Sequence, residues 1–391
     1  MNKHVIIVHY HELSLKGKNR NWFEKTLLKN IKRHLYNLPF TNISRLSGRM
    51  IIEEIDSSLL DQYINIMSNV IGIRNFILAA ETPLDLEQIK NKALEASHSY
   101  DKKNSFRISS RRQNKNFKFT TRQINQIVGQ HIVDQKGLKV NLDNPDLDIL
   151  IEIVNDKAFI GTKKIRAFGG LPVGTGESAL SLISSGIDSP VASFNIIKRG
   201  VSLDYIHFHS APATSRQSIY NVESILKQLC RYQMNCTLYL FPLLDIQNII
   251  MDQIDSKYWV VLFRRAMIKI ANKVAKEYRY KVLISGENIG QVASQTLSNI
   301  ATIDDASSIP IIRPLAGHNK EEIVDQAEII DTYQISIEPY QDCCSYFVPP
   351  NPETKSNLDR IQRLEKKFNL DEMINDYRNK IEVKEFSYYE K

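Results

Sequence analysis

The stretch SLISSGIDSPVAS, residues 181–193, holds the reading of the fold. A short apolar run gives way to Ser184, Ser185 and Gly186, and a carboxylate, Asp188, follows. Small residues at the end of a buried strand let backbone approach a ligand, and successive amides at a helix N-terminus favour an anion. Asp188 cannot hold a phosphate itself; it can hold Mg²⁺ or position donors. The competing reading is a plain strand-to-helix turn with Asp188 as the helix N-cap. No G-K-[ST] follows, which excludes a Walker loop.

Outward from this stretch the pattern is strand and helix in alternation. ALSLISS, VSLDYIHFH, CTLYLFPL, YKVLISGE and IPIIRPL are short apolar runs separated by helical stretches. Continuous apolar strands are buried on both faces, as in a parallel sheet whose ligands bind at the strand carboxyl ends. The last 35 or so residues read as charged helix. Upstream, HVIIVHY, NWFEKTLLKNIKRHL, ISRLSGRMIIEEI and SSLLDQYINIMSNV read as a small ferredoxin-like α+β unit. LDILIEIVNDKAFIGTKKI reads as a hairpin turning at Asn155-Asp156. The expected division is a ferredoxin-like unit at 1–62, a second α+β unit at 63–168, a linker at 169–176, and the parallel-sheet domain at 177–391.

The chain has 391 residues and a net charge of +7. No apolar run approaches the ~18 residues of a membrane span, and a cytoplasmic location is expected. Four cysteines without a C-x-x-C argue against a zinc or iron–sulfur site. Residues 102–122 carry eight Lys or Arg and no acid, with Phe106, Phe117 and Phe119 among them. A second basic cluster spans residues 16–33. Such stripes suit a phosphate backbone with exposed bases; a solvated face with core phenylalanines is the alternative. The candidate RNA contacts are Lys16, Lys18, Arg20, Arg107, Arg111, Arg112, Lys115, Lys118 and Arg122.

The loop S-x-G-I-D-S-P-V-A resembles the PP-loop of ATP pyrophosphatases. HYHELSLKGKNR, HFHSAPATS, FRRAMIKIA, SGENIGQVASQTLSN, RPLAGHNKEEI and DCCSYFVPPNPETK follow in the order of the tRNA 4-thiouridine synthetase (tRNA sulfurtransferase) family. The resemblance covers nearly the whole chain, and the second unit is similar to that family's THUMP RNA-binding domain. It implies an ATP- and Mg²⁺-dependent enzyme that adenylates the uridine at tRNA position 8 and transfers persulfide sulfur to give 4-thiouridine. It implies ATP contacts from Leu182, Ile183, Ser184, Ser185, Gly186, Ser189, His207, Phe208, Arg264, Gly286 and Gln295. Asp188, Lys320 and Cys344 fall on catalytic positions, with Cys343 the competitor for the persulfide. A cysteine desulfurase would supply the sulfur, and a homodimer is implied.

Two features depart from the family. The rhodanese-like extension of some members is not expected here. Ser185 replaces the first loop glycine: strained if the position needs positive φ, compatible if it needs only a small side chain. The adjacent pair Arg264-Arg265 leaves room for one arginine on a solvated helix face. Other PP-loop tRNA-modifying enzymes, or a non-catalytic tRNA-binding protein with a decayed loop, are the alternatives.

Overall fold

The computed structural model describes residues 4–46, 48–339, 347, 349–375 and 377–389. They form two compact units, 1–171 and 172–391.

The first unit is built on one eight-stranded sheet in the order β2-β3-β1-β4-β8-β7-β5-β6. Its strands are β1 (His4–His9), β2 (Asn42–Leu46), β3 (Arg49–Glu53), β4 (Asn75–Pro83), β5 (Ser105–Arg112), β6 (Lys139–Val140), β7 (Leu147–Val154) and β8 (Lys157–Arg166). With the helices Arg20–His34 and Leu60–Ser68, β1 to β4 complete the βαββαβ order of a ferredoxin-like unit. β4 pairs with β1 on one side and β8 on the other, so the same sheet continues into the second α+β pattern. The hairpin β7–β8 turns at Asn155, whose φ of 53° is a left-handed conformation that asparagine tolerates. The helix Thr121–Lys136 opens on a Thr120/Gln123 capping box.

Strand alternation divides the apolar residues. Ile6 and Val8 pack with Leu27 and Ile31 beneath the first helices. Ile149 and Ile151 pack with Ile89, Val128 and Ile132. Val5, Ile7, Ile51 and Ile77 face the other way and meet Val154 and Phe159. Three strands stand between β3 and β7, which in a flat sheet would separate them by about 19 Å. Yet Arg49 of β3 ion-pairs with Glu152 of β7. The sheet therefore curls, and the curl buries this third cluster.

The second unit holds β9 (Ser178–Leu182), β10 (Ser202–His209), β11 (Asn235–Pro242), β12 (Leu283–Ile284), β13 (Ile311–Ile312) and β14 (Glu382–Ser387). Their order is β13-β12-β9-β10-β11-β14, and the first five run parallel. From β9 the chain winds first to β10 and β11, then returns to place β12 on the other side. The switch point lies between β9 and β12, and the crevice beyond their carboxyl ends is where such sheets bind ligands.

The end of the chain corrects the all-helix expectation. After the helices Leu358–Glu365, Leu370–Met373 and Tyr377–Lys380, β14 runs antiparallel to β11 as an edge strand. EVKEFS is dominated by charge, which hides its period of two. Phe386 is buried, while Lys384 ion-pairs with Glu223. Charged side chains on an edge strand also discourage further pairing.

Candidate nucleotide and RNA sites

The strand β9 ends at Leu182 and the helix Asp188–Ile197 begins six residues later. Ser189 ties the intervening loop. Its hydroxyl accepts from the Ser184 amide at 2.9 Å and donates to the Ser184 carbonyl at 3.0 Å. Ser193 donates to the Ser189 carbonyl and meets the Ser181 hydroxyl at 2.9 Å, anchoring helix to strand. The N-cap is Ile187, with no side-chain cap. Asp188 is thus the first helical residue, and the N-cap reading of it does not hold. The amides of Ser185, Gly186 and Ile187 have no acceptor among the described residues. Three free donors in succession at an uncapped helix start form a cradle for an anion.

A cavity of about 370 Å³ opens over this loop. Leu182, Ile183, Ser184, Gly186, Ser189, His207, Phe208, Arg264, Gly286 and Gln295 line it, together with Asp188. β9, β10 and β12 contribute through their carboxyl ends and the residues just after them. His207 Nδ1 lies 2.9 Å from the Ile183 carbonyl. Gln295 is nearly buried, and its Oε1 has no partner among the described residues. Residues Met267, Ser285, Glu287, Gln291 and Val292 also line the cavity and were not singled out from the sequence. Met267 falls in the block FRRAMIKIA and the other four in SGENIGQVASQTLSN, and those blocks were their only sequence signal.

Gly286 explains its own identity. A Cβ there would stand 2.7 Å from Ser189 Cα and 2.8 Å from its amide nitrogen. The turn after β12 therefore packs backbone to backbone against the start of the loop helix. Glu287, next in line, is buried between Arg264 and Arg313. Burial pushes its carboxyl up, but the two guanidiniums outweigh it and hold the pKa below the usual glutamate value.

Lys320 begins the helix Lys320–Ile329, behind an Asn319/Glu322 capping box. Its ammonium donates to Asp188 Oδ1 at 2.7 Å, and Gln291 donates to Oδ2 at 3.1 Å. A cation in a helix first turn opposes the dipole; the Asp188 carboxylate offsets that cost and draws the lysine to the loop.

Ser185 differs from its neighbours. It is wholly buried and does not line the cavity, and its hydroxyl has no partner among the described residues. Its φ lies outside the left-handed region, so the backbone accepts a side chain without strain. The position needs smallness and not glycine's extra freedom. Removing a buried unpaired hydroxyl relieves its desolvation. Ser185→Ala is therefore expected to raise unfolding stability by about 1 kcal/mol, read in urea titration. A loss of 1 kcal/mol or more would show that the hydroxyl is satisfied.

The expectation of one arginine on a solvated face does not hold either. Arg265 is buried and bonds Glu365, Asp305 and the Thr302 carbonyl, and Arg264 faces the cavity and Glu287. Cys343 and Cys344 lie outside the described residues.

Among the basic candidates of the first unit, Lys18, Arg111, Lys115, Lys118 and Arg122 are exposed. Arg20 is held by Glu24, Arg107 by Asp148 at 2.6 Å, and Arg112 by the carbonyls of Phe117 and Phe119. Lys16 lies 5.0 Å from the centre of the Phe23 ring, and Lys118 5.5 Å from that of Phe119. Phe106 is core; Phe117 and Phe119 pack edge-to-face at 5.7 Å over the same cluster. The aromatic interleaving is thus largely structural.

Comparison with known proteins follows the same division. Residues 174–370 match the family described as thiamine biosynthesis protein (ThiI), residues 5–76 the ThiI ferredoxin-like domain, and residues 84–163 the THUMP domain. A probable tRNA sulfurtransferase of Natranaerobius thermophilus is 40% identical, covering 98% of this chain and 96% of its own. One of Staphylococcus epidermidis is 36% identical, covering 97% and 93%. The crystal structure of a 4-thiouridine synthetase–RNA complex with bound ATP superposes with a TM-score of 0.88 at 35% identity, covering 98% of this chain and 100% of that one. With its ferredoxin-like, THUMP and PP-loop parts in this order, the chain belongs to the ThiI family of tRNA sulfurtransferases.

Proposed function

We propose that this chain uses ATP to convert the uridine at tRNA position 8 to 4-thiouridine. The observation that carries the reading is the junction of three free loop amides with the Asp188–Lys320 pair, at the sheet's switch point. The phosphates of ATP rest on the amides of Ser185, Gly186 and Ile187, and the nucleoside occupies the cavity between Ile183, Phe208 and Gln295. Lys320 meets the charge that develops as pyrophosphate departs. Asp188 is the carboxylate that would hold Mg²⁺, which when bound neutralises phosphate charge.

Adenylation joins O4 of the uridine to the α-phosphorus and breaks the bond to pyrophosphate. The terminal sulfur of a persulfide on Cys344 then attacks C4, and AMP leaves. An external thiol attacks the Cys344 sulfur, which releases the terminal sulfur on the base and leaves Cys344 in a mixed disulfide; a second thiol reduces that disulfide and frees the cysteine. A cysteine desulfurase then reloads it. The ferredoxin-like domain, which β4 carries past the expected boundary at residue 62, and the THUMP domain, joined by a linker to the catalytic domain, grip tRNA through phosphates and shape. The protein works in the cytoplasm, as a homodimer. A decayed, non-catalytic loop is disfavoured by the unstrained backbone at Ser185 and the free amides beside it.

The test is ATP–pyrophosphate exchange with unmodified tRNA, followed by thiolation with a desulfurase present. Cys344→Ala should keep adenylation and lose thiolation by at least about 10³-fold, as expected for removal of a nucleophile. No tRNA-dependent exchange, with tRNA still bound, would rule out the enzyme. Loss only in Cys343→Ala would move the persulfide to that residue.

A further inference from the structure

A chain of alternating charges runs from the nucleotide cavity across the second unit. Arg264, on the helix Trp259–Tyr278, faces the cavity and bonds Glu287 Oε1. Arg313 Nε donates to Glu287 Oε2 at 2.8 Å. Its two terminal nitrogens fork onto the carboxylate of Asp304, at 2.9 and 2.5 Å. The four side chains come from four places in the fold. Glu287 lies shortly after β12 and Arg313 directly after β13, while Asp304 ends the helix Leu297–Asp304.

Glu287 is buried, with one guanidinium on each carboxylate oxygen. Burial works against the charge on Arg313, but Asp304 and Glu287 outweigh it and raise its pKa above the usual arginine value. A buried ionic chain is a costly way to join four elements, since apolar residues of similar volume often do as well or better. What apolar residues cannot do is fix the direction of a guanidinium. An arginine side chain has many rotamers, and holding it in one beforehand removes an ordering cost that ligand binding would otherwise carry. Glu287 grips the Arg264 guanidinium at Nη1 beside the cavity, and Arg313 and Asp304 fix Glu287 in turn. At the phosphate end, three loop amides and Lys320 already stand in place. With its charge matched by Glu287, Arg264 offers aimed N–H donors, which suit the uncharged acceptors of a nucleoside.

We propose that Glu287 and Arg313 are positioning residues that hold Arg264 in the orientation in which it meets the nucleoside of ATP, with Asp304 as the outer anchor. Their role rests on the ATP reading of this cavity. Both act through Arg264 and not on the reacting phosphate. Loosening the chain therefore weakens ATP binding and leaves the chemical step to the loop amides, Asp188 and Lys320.

The experiment is a double-mutant cycle on the full chain, read by ATP–pyrophosphate exchange with unmodified tRNA. Arg313→Lys keeps the charge but cannot fork onto Asp304 and reach Glu287 at once. It should raise KM for ATP about 10-fold, the scale of one lost charged hydrogen bond, with kcat and KM for tRNA within about threefold of wild type. Arg264→Ala should raise KM for ATP by at least as much. Adding Arg313→Lys to Arg264→Ala should then change that KM by less than about twofold, because the side chain being positioned is gone. If Arg313 only held the fold together, Arg313→Lys would lower kcat at constant KM, or multiply KM equally in both backgrounds; either result would overturn the proposal. Asp304→Asn is the milder variant, since this carboxylate is partly open to solvent. It should raise KM for ATP about threefold, and only while Arg264 is present. If Arg313→Lys fails to fold, an unchanged KM in Asp304→Asn overturns the proposal in its place. A wild-type melting temperature that does not rise with ATP would remove the ATP reading itself, and the positioning role with it.

Discussion

Gly286→Ala is expected to lower the kcat/KM of adenylation by at least about 10²-fold, the scale on which ångström misplacements act. The new Cβ would lie 2.7 Å from Ser189 Cα and 2.8 Å from its nitrogen, both main-chain atoms. Neither can rotate away, so the turn after β12 or the start of the loop helix must move. Ser189 holds the loop through Ser184, so the displacement reaches the free amides directly. Overpacking of this kind also costs about 1–3 kcal/mol of stability. Pyrophosphate exchange and urea unfolding read the two effects separately. Activity within twofold of wild type would show that the strand ends can part without disturbing the site.

Lys320→Ala should lower kcat for adenylation by about 10²–10³-fold, the usual cost of removing a donor to developing charge. Stability should change by less than about 1 kcal/mol, because the pair with Asp188 is largely open to solvent and screened. KM for ATP should move little if the lysine acts mainly as pyrophosphate leaves. Lys320→Arg should restore part of the rate, since it keeps the charge on a different geometry. Equal, small losses of rate and stability would reduce Lys320 to a surface ion-pair partner of Asp188.

Much of the molecule was legible because its signals are local. A strand followed by small residues, one carboxylate and a helix can be read from thirteen residues. Apolar runs of strand length separated by helices announce a parallel sheet, and the comparisons with related proteins bear out the fold class and the family. The hairpin at Asn155 depends on neighbours within a few positions, and it formed where the pattern indicated. β14 was misread because its charged residues mask alternation, and an edge strand needs only one buried side chain. Arg265 was misread because a helical pattern shows which face is apolar, not whether a distant acid, Glu365, will arrive to bury an arginine.

The sequence by itself determined the loop, the alternation of strands and helices from β9 to β13, and the residue types that line the cavity. Only the tertiary structure decided which of them meet. Lys320 and Asp188 are 132 positions apart, and they touch because the winding reverses between β9 and β12. That reversal opens a crevice at the strand ends and turns Gly286 against Ser189. In the first unit, the curl of the sheet brings Arg49 to Glu152 across three strands. Local sequence carries propensity and pattern. Distances between remote charges are set by strand order and sheet curvature, which follow from burying all the apolar faces at once.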